Sequence, residues 1–386
     1  MTFRSGLTAC GLALAVAAPL AAQRRQESGA FLVRLGSDTV AIESFTRTAS
    51  QLVIDQVYRS PRTTLRHFVV NVGPHGTVTS AEVAVYRPGA PADQPLQRLT
   101  MTFHGDSVTS ENRQGDSVRA RTVAVPAGTL PLLAPYSSLA LMTEQVRREG
   151  RDSVAVMVYG PSAAQAVPVA VKLLGSDSMT MQLPFGRIRA AVDREGRFLG
   201  SIAPEATAHH TVDAVTGVDV RALAAAFAAR DAAGQAMGVL SPRDTVRATV
   251  NGANLMVDYG RPSKRGREVF GGVVPWNQVW RTGANAATQL RTDRDLEIGG
   301  VAVPAGLYTL WTVPGPGGWK LIVNRQTGQW GTEYHEAQDL ARMDMQTGPL
   351  PDPMERFTIS IVPAASGADL RLGWDRTQAS VHLTVR

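Results

Sequence analysis

The sequence predicts an all-β protein of two unlike halves: an N-terminal antiparallel β-meander with one helix, a linker helix, and a C-terminal β-sandwich that is jelly-roll-like. Three observations predict it. Apolar and polar residues alternate over much of 31–203, as at Leu99, Met101 and Phe103 between Arg98, Thr100 and Thr102. Such alternation puts one face of a strand on a core and the other in water. Turn signals then punctuate the alternation at short, irregular intervals. Finally, all six tryptophans (Trp276, Trp280, Trp311, Trp319, Trp330 and Trp374) fall in the last segment, so the halves differ in composition.

Residues 1–22, MTFRSGLTACGLALAVAAPLAA, read as an export signal: Arg4, an apolar run from Leu7 to Ala18, and small residues before Gln23. The run is short for a membrane anchor, and no later apolar run is long enough to span a bilayer, so no transmembrane segment is expected after cleavage. The expected location is periplasmic or extracellular. Cys10 is the one cysteine and leaves with the signal, so stability must come from the core rather than from disulfides. The whole chain carries a net charge of +6, which falls by one with Arg4. Its arginines are scattered among acids, and no nucleic-acid footprint is expected.

The first half, 23–205, reads strand by strand. A tag of Asp, then Ser or Thr, then an apolar residue recurs at Asp38, Asp106, Asp116, Asp152, Asp177 and Asp244. Asp and Ser/Thr bond their own backbone in turns, and the residue that follows opens a strand. One helix interrupts: Tyr136, Leu139, Met142 and Val146 share a face. Wrapped round that helix, a curved sheet could hold a lipid or another apolar ligand in its concavity, and a filled core is the plainer alternative. Residues 206–243 read as a linker whose Ala-rich helix is capped by Asp219.

From 244 to 386 strands return. Asn251-Gly252 and Gly299-Gly300 are hairpin signals, and Pro314 to Gly318 reads as a hairpin tip. Here "YGRPSKRGREVFGGVVPWNQVWRTGANAAT" and "IGGVAVPAGLYTLWTVPGPGGWKLIVNRQTGQWG", with the closing "LRLGWDRTQASVHLTV", resemble the domain-of-unknown-function family numbered 2911. Arg265, between Lys264 and Gly266, is a small departure. The resemblance implies the fold and an exported setting, and it supplies no mechanism.

Two readings compete for the unusual residues. In the ligand-binding one, Arg261, Arg267 and Arg281 converge with Tyr259, Asn285 and Thr288 on a cleft for an anionic or carbohydrate ligand, such as a small molecule or an envelope glycan, with Trp280 stacking beneath it. Trp330 and Tyr334 would add aromatic contacts. In the plainer reading Trp280 fills the core, Arg281 braces loop carbonyls and Asn285 bonds its own turn. Residues 279–283 are read here as strand, with Arg281 and Trp280 on opposite faces. Catalysis has little support: no Gly-x-Ser-x-Gly elbow, no phosphate loop and no metal-ligand spacing, with His209 and His210 adjacent and the other histidines scattered. No cofactor or metal is expected. A hydrolase using a carboxylate such as Glu333 or Glu336, or His335, is the enzymatic alternative.

Overall fold

The computed structural model describes residues 26–386 except 184–185, 195 and 204–208. The segment read as an export signal lies outside the described residues. The chain is all-β, with two large sheets and few helices.

The first sheet is two meanders joined edge to edge. Strands β1 (Glu27–Leu35), β2 (Asp38–Arg47), β3 (Gln51–Tyr58), β4 (Thr64–Val72), β5 (Val78–Tyr86), β6 (Gln97–Phe103), β7 (Ser107–Gln114) and β8 (Ser117–Ala124) pair in chain order. The chain then crosses to β9 (Leu130–Pro131) and returns through β10 (Ser153–Tyr159), β11 (Val167–Leu173), β12 (Ser178–Leu183), β13 (Gly186–Val192), β14 (Phe198–Ile202) and β15 (His210–Val215). Strand β15 pairs antiparallel with β1, which joins the two meanders into one fifteen-stranded sheet; among the described residues of that sheet, only β9 and β10 run parallel. The Asp-Ser/Thr tags at Asp38, Asp106, Asp116, Asp152 and Asp177 all sit at strand openings.

Between the meanders runs a short helical turn, Tyr136–Leu139, continuing into α1 (Ala140–Glu149). Leu141, Met142 and Val146 of α1 enter one core with Phe31, Ile54, Phe68 and Met101 from the first meander and Val156, Met181 and Ile188 from the second. The sheet therefore curls round the helix. Gly150, at φ +63°, ends α1 in the left-handed conformation that glycine adopts without strain.

The segment read as a linker is built into this sheet. It supplies β15, and its helix α2 (Val220–Arg230) packs Val220, Ala224 and Phe227 on the outer face of β2 to β4 against Ile42, Val57 and Leu65. Asp219 caps α2 as its residue type predicts, accepting from the N–H groups of Arg221 and Ala222. Strand β15 escaped the sequence reading because it is short and begins with a histidine.

The second sheet holds β16 (Arg243–Val250), β17 (Ala253–Gly260), β18 (Thr288–Thr292), β19 (Leu296–Ile298), β20 (Val301–Val303), β21 (Gly306–Val313), β22 (Trp319–Asn324), β23 (Asp339–Ala364) and β24 (Gly367–Val385). Its order is β16-β17-β18-β21-β22-β23-β24-β19-β20 around one large core, with a small second cluster of Ala287, Trp311 and Ile322. The sandwich is thus one continuous sheet turned on itself by β23. Its first part pairs with β22 and its later part with β24, and the register breaks between Pro349 and Thr358. Pro349, Pro351 and Pro353 cluster there, and prolines lack the N–H that a ladder needs. The Asn251-Gly252 and Gly299-Gly300 hairpins form as read, both residues of each pair having positive φ.

The β1–β2 turn docks on the loop between β17 and β18. The Ser37 N–H donates to the Arg265 carbonyl at 3.0 Å, and Arg265 pairs with Asp38. Gly36 makes the approach possible: its φ is +61°, and a Cβ there would lie 2.0 Å from the Arg265 carbonyl oxygen. Gly36→Ala is expected to lose about 1–3 kcal/mol through strain and clash together. An unchanged thermal midpoint would show that this contact contributes nothing.

Candidate functional site

The C-terminal cluster is built on a loop. Residues 279–287 form no strand; Trp280 makes a single bridge to Thr312 and Ala286 one to Trp330. The strand reading of 279–283 is therefore corrected. Thr282 and Asn285 have φ of +50° and +64°, which extended pairing excludes.

The three guanidinium groups are spent on the protein's own chain. Arg261 donates to the Phe357 carbonyl at 3.2 Å and to Thr358 Oγ1 at 2.9 Å, and pairs with Asp244 at 2.9 Å. Arg267 donates to the carbonyls of Lys264 and Ser263; burial, helped by Arg265, brings it down to about 10. Arg281 donates to the Asn285 carbonyl at 3.3 Å, and burial lowers it too. Its stem lies over Gly331, where a Cβ would come within 2.4 Å of Arg281 Cδ. Trp280 is a core residue, stacked 6.0 Å from Trp374 and edge-on to Phe357.

The remaining candidates are dispersed. Tyr259 is buried against Phe357 and accepts from the Ile359 N–H. Thr288 is buried and donates to the Thr282 carbonyl. Trp330 is exposed, whereas Tyr334 packs on Trp311 and donates to Asp339 at 2.7 Å. Arg267, Trp280 and Asn285 share a cavity of about 140 Å³; the other six do not line it. Glu336 is tied to Arg342, and the His335 carbonyl accepts from Asn324. Among the described residues no group of three or more His, Cys, Asp or Glu gathers as a metal site.

The first sheet holds a larger and more apolar cavity that sequence reading left only as a possibility. It has a volume of about 430 Å³. Its wall combines Val33, Leu133, Leu139, Leu183 and Ile188 with Gln56, Tyr58, Arg66, Tyr136 and His210. The polar residues are placed by register: Glu43 on β2, Gln56 on β3 and Arg66 on β4 stand directly opposite one another across three strands. Their neighbours two residues along, Phe45, Ile54 and Phe68, belong to the core, so this row lies on the concave face.

Each member of the row has a different fate. Glu43 is fully buried and accepts from the N–H groups of Tyr136 and Ser137 and from Ser137 Oγ, so it pins the start of the helical turn. Burial raises its carboxyl above the ordinary range, against those hydrogen bonds. Gln56 Oε1 has no partner among the described residues. The Arg66 guanidinium lies 4.1 Å from the centre of the Tyr58 ring, and burial lowers it. On the neighbouring wall Tyr136 Oη and His210 Nδ1 are 2.9 Å apart. Burial, helped by Arg267, brings His210 down to about 4, so at neutral pH it is uncharged, and it raises the Tyr136 phenol.

Residues 241–383 match the family model described as "Protein of unknown function (DUF2911)", so the resemblance read in the C-terminal third holds. No curated protein matches the chain. Among solved structures, a DUF1089-family protein from Pseudomonas aeruginosa is 14% identical, with a TM-score of 0.30, over 42% of this chain and 90% of its own. A β-barrel-like protein of the domain of unknown function DUF1849 from Brucella abortus is 9% identical, with a TM-score of 0.32, over 49% of this chain and 94% of its own. Neither likeness carries an argument about a site.

Proposed function

We propose that this is a non-catalytic binding protein that takes a small apolar ligand in the cavity of its N-terminal sheet and works outside the cytoplasm. One observation carries the reading: the curled sheet leaves about 430 Å³ unfilled between α1's leading turn and β1 to β4, within the range of small-molecule sites. Its wall is mostly aliphatic, with a few polar groups, as such sites require. The segment 1–22, read as an export signal, supports the setting. Among the described residues no helix is long and apolar enough to cross a membrane.

The C-terminal cluster supports a bracing role better than an anionic or carbohydrate site. Its guanidinium groups already bind carbonyls, and its cavity of about 140 Å³ falls below the usual range for a ligand.

The neutral dye N-phenyl-1-naphthylamine tests the reading. Its fluorescence should rise saturably on binding the wild type, and Leu133→Trp, which places an indole in the cavity, should weaken binding at least about tenfold. No saturable binding, or equal binding by a folded Leu133→Trp variant, overturns it.

A further inference from the structure

We propose that the ligand is an amphiphile, one aliphatic tail with an anionic carboxylate or phosphate head, and that Arg66 pairs with the head. This rests on the cavity being a binding site and adds the class of ligand. Arg66 is the one arginine among the described residues lining the cavity. Other arginines of the same sheet have carboxylate partners: Arg47 with Glu144, Arg98 with Glu82, Arg34 with Asp213. Arg66 makes no hydrogen bond or ion pair among the described residues, and its Nε is buried.

The nearest carboxylate in its row is not its counter-ion. Glu43 stands two strands away, beyond Gln56, and is held by Tyr136 and Ser137. The Tyr58 ring offsets part of the cost of partly desolvating the guanidinium, but a ring face is a weaker partner than an anion. A part-buried cation without an anion is less well solvated than one in water, and an incoming carboxylate or phosphate would pair with it through two parallel N–H···O bonds. Leu132, Leu133, Leu139, Leu183 and Ile188 supply the aliphatic surface for a tail. The Tyr136–His210 pair is uncharged at neutral pH and does not compete for the head.

Displacement of bound N-phenyl-1-naphthylamine by decanoate, monodecyl phosphate and 1-decanol, each below its micelle concentration, separates head from tail. In the wild type the two anions should displace the dye at concentrations about tenfold or more below that of the alcohol. A preference for the phosphate points to a phospholipid-type source, and a preference for decanoate to a free fatty acid. Arg66→Gln should bring the anions to the alcohol's level, each displacement being read against that variant's own dye affinity. If Arg66→Gln does not fold, Arg66→Lys should narrow the gap, because it keeps charge but loses the fork. An alcohol as effective as the anions in the wild type, or a preference that survives in Arg66→Gln, overturns the proposal while leaving the cavity reading intact. Failure of the wild type to bind dye overturns the cavity reading itself.

Discussion

Trp374→Ala should be the most damaging single substitution in the C-terminal sheet, lowering stability by about 3–5 kcal/mol. Trp374 is 1% exposed and stacks on Trp280 at 6.0 Å, while Phe270 and Phe357 meet it at steep angles. Its Nε1–H donates to the Glu355 carbonyl at 3.2 Å, on the stretch of β23 where the register breaks. Alanine would leave a void among three aromatic side chains and an unpaired carbonyl where β23 is least well paired. Trp374→Phe keeps most of the volume and loses only the donor, so it should cost clearly less. Chemical denaturation measures both, and equal losses would show that the hydrogen bond, not the packing, dominates.

Glu43→Ala should cost about 2–4 kcal/mol, because it strands the N–H groups of Tyr136 and Ser137 and the Ser137 hydroxyl without an acceptor. These donors open the turn that leads into α1, so the loss should also loosen the cavity wall and weaken dye binding. Glu43→Gln restores an acceptor and should recover part of both. The pH dependence separates charge from shape. Burial raises the Glu43 carboxyl in the folded state, so its contribution favours folding below the ordinary carboxylate value and fades as the pH rises through the raised one. Glu43→Gln lacks this dependence, and its stability relative to the wild type should improve from pH 4 to pH 8. Parallel stability curves for the two proteins would refute the shift.

Strands, hairpins and helix α1 were legible because they rest on local chemistry. Leu99, Met101 and Phe103 alternate, Asn251-Gly252 tolerates positive φ, and Met142 and Val146 fall on one face. What was not legible is long-range. Nothing local to His210–Val215 says that it pairs with Glu27–Leu35 rather than joining a linker. Nothing near Asp339 announces one strand serving two neighbours.

The loop 279–287 misled because Trp-Arg-Thr alternates like a strand, while the left-handed φ of Thr282, a β-branched residue, is imposed by tertiary contacts. The cavity did leave a trace. Glu43 lies between Ala41 and Phe45, and Arg66 begins the series continued by Phe68 and Val70. Each is a charge where the alternation calls for an apolar side chain. A charge on the core side of a strand demands a partner. Glu43 has its own within the chain, whereas Arg66 has none among the described residues.

The pairing of β1 with β15 also sets the order in which the molecule can assemble. Arg34 and Asp213, joined across that seam, are 179 residues apart in the chain. The opening strand must therefore wait, with one flank unprotected, until more than half of the polypeptide has been made. Such a high contact order slows folding, and a waiting strand edge invites association with other chains. Newly made copies should consequently be most prone to clump before residue 215 emerges, and truncations ending short of it should be insoluble even though every element of the first meander is present.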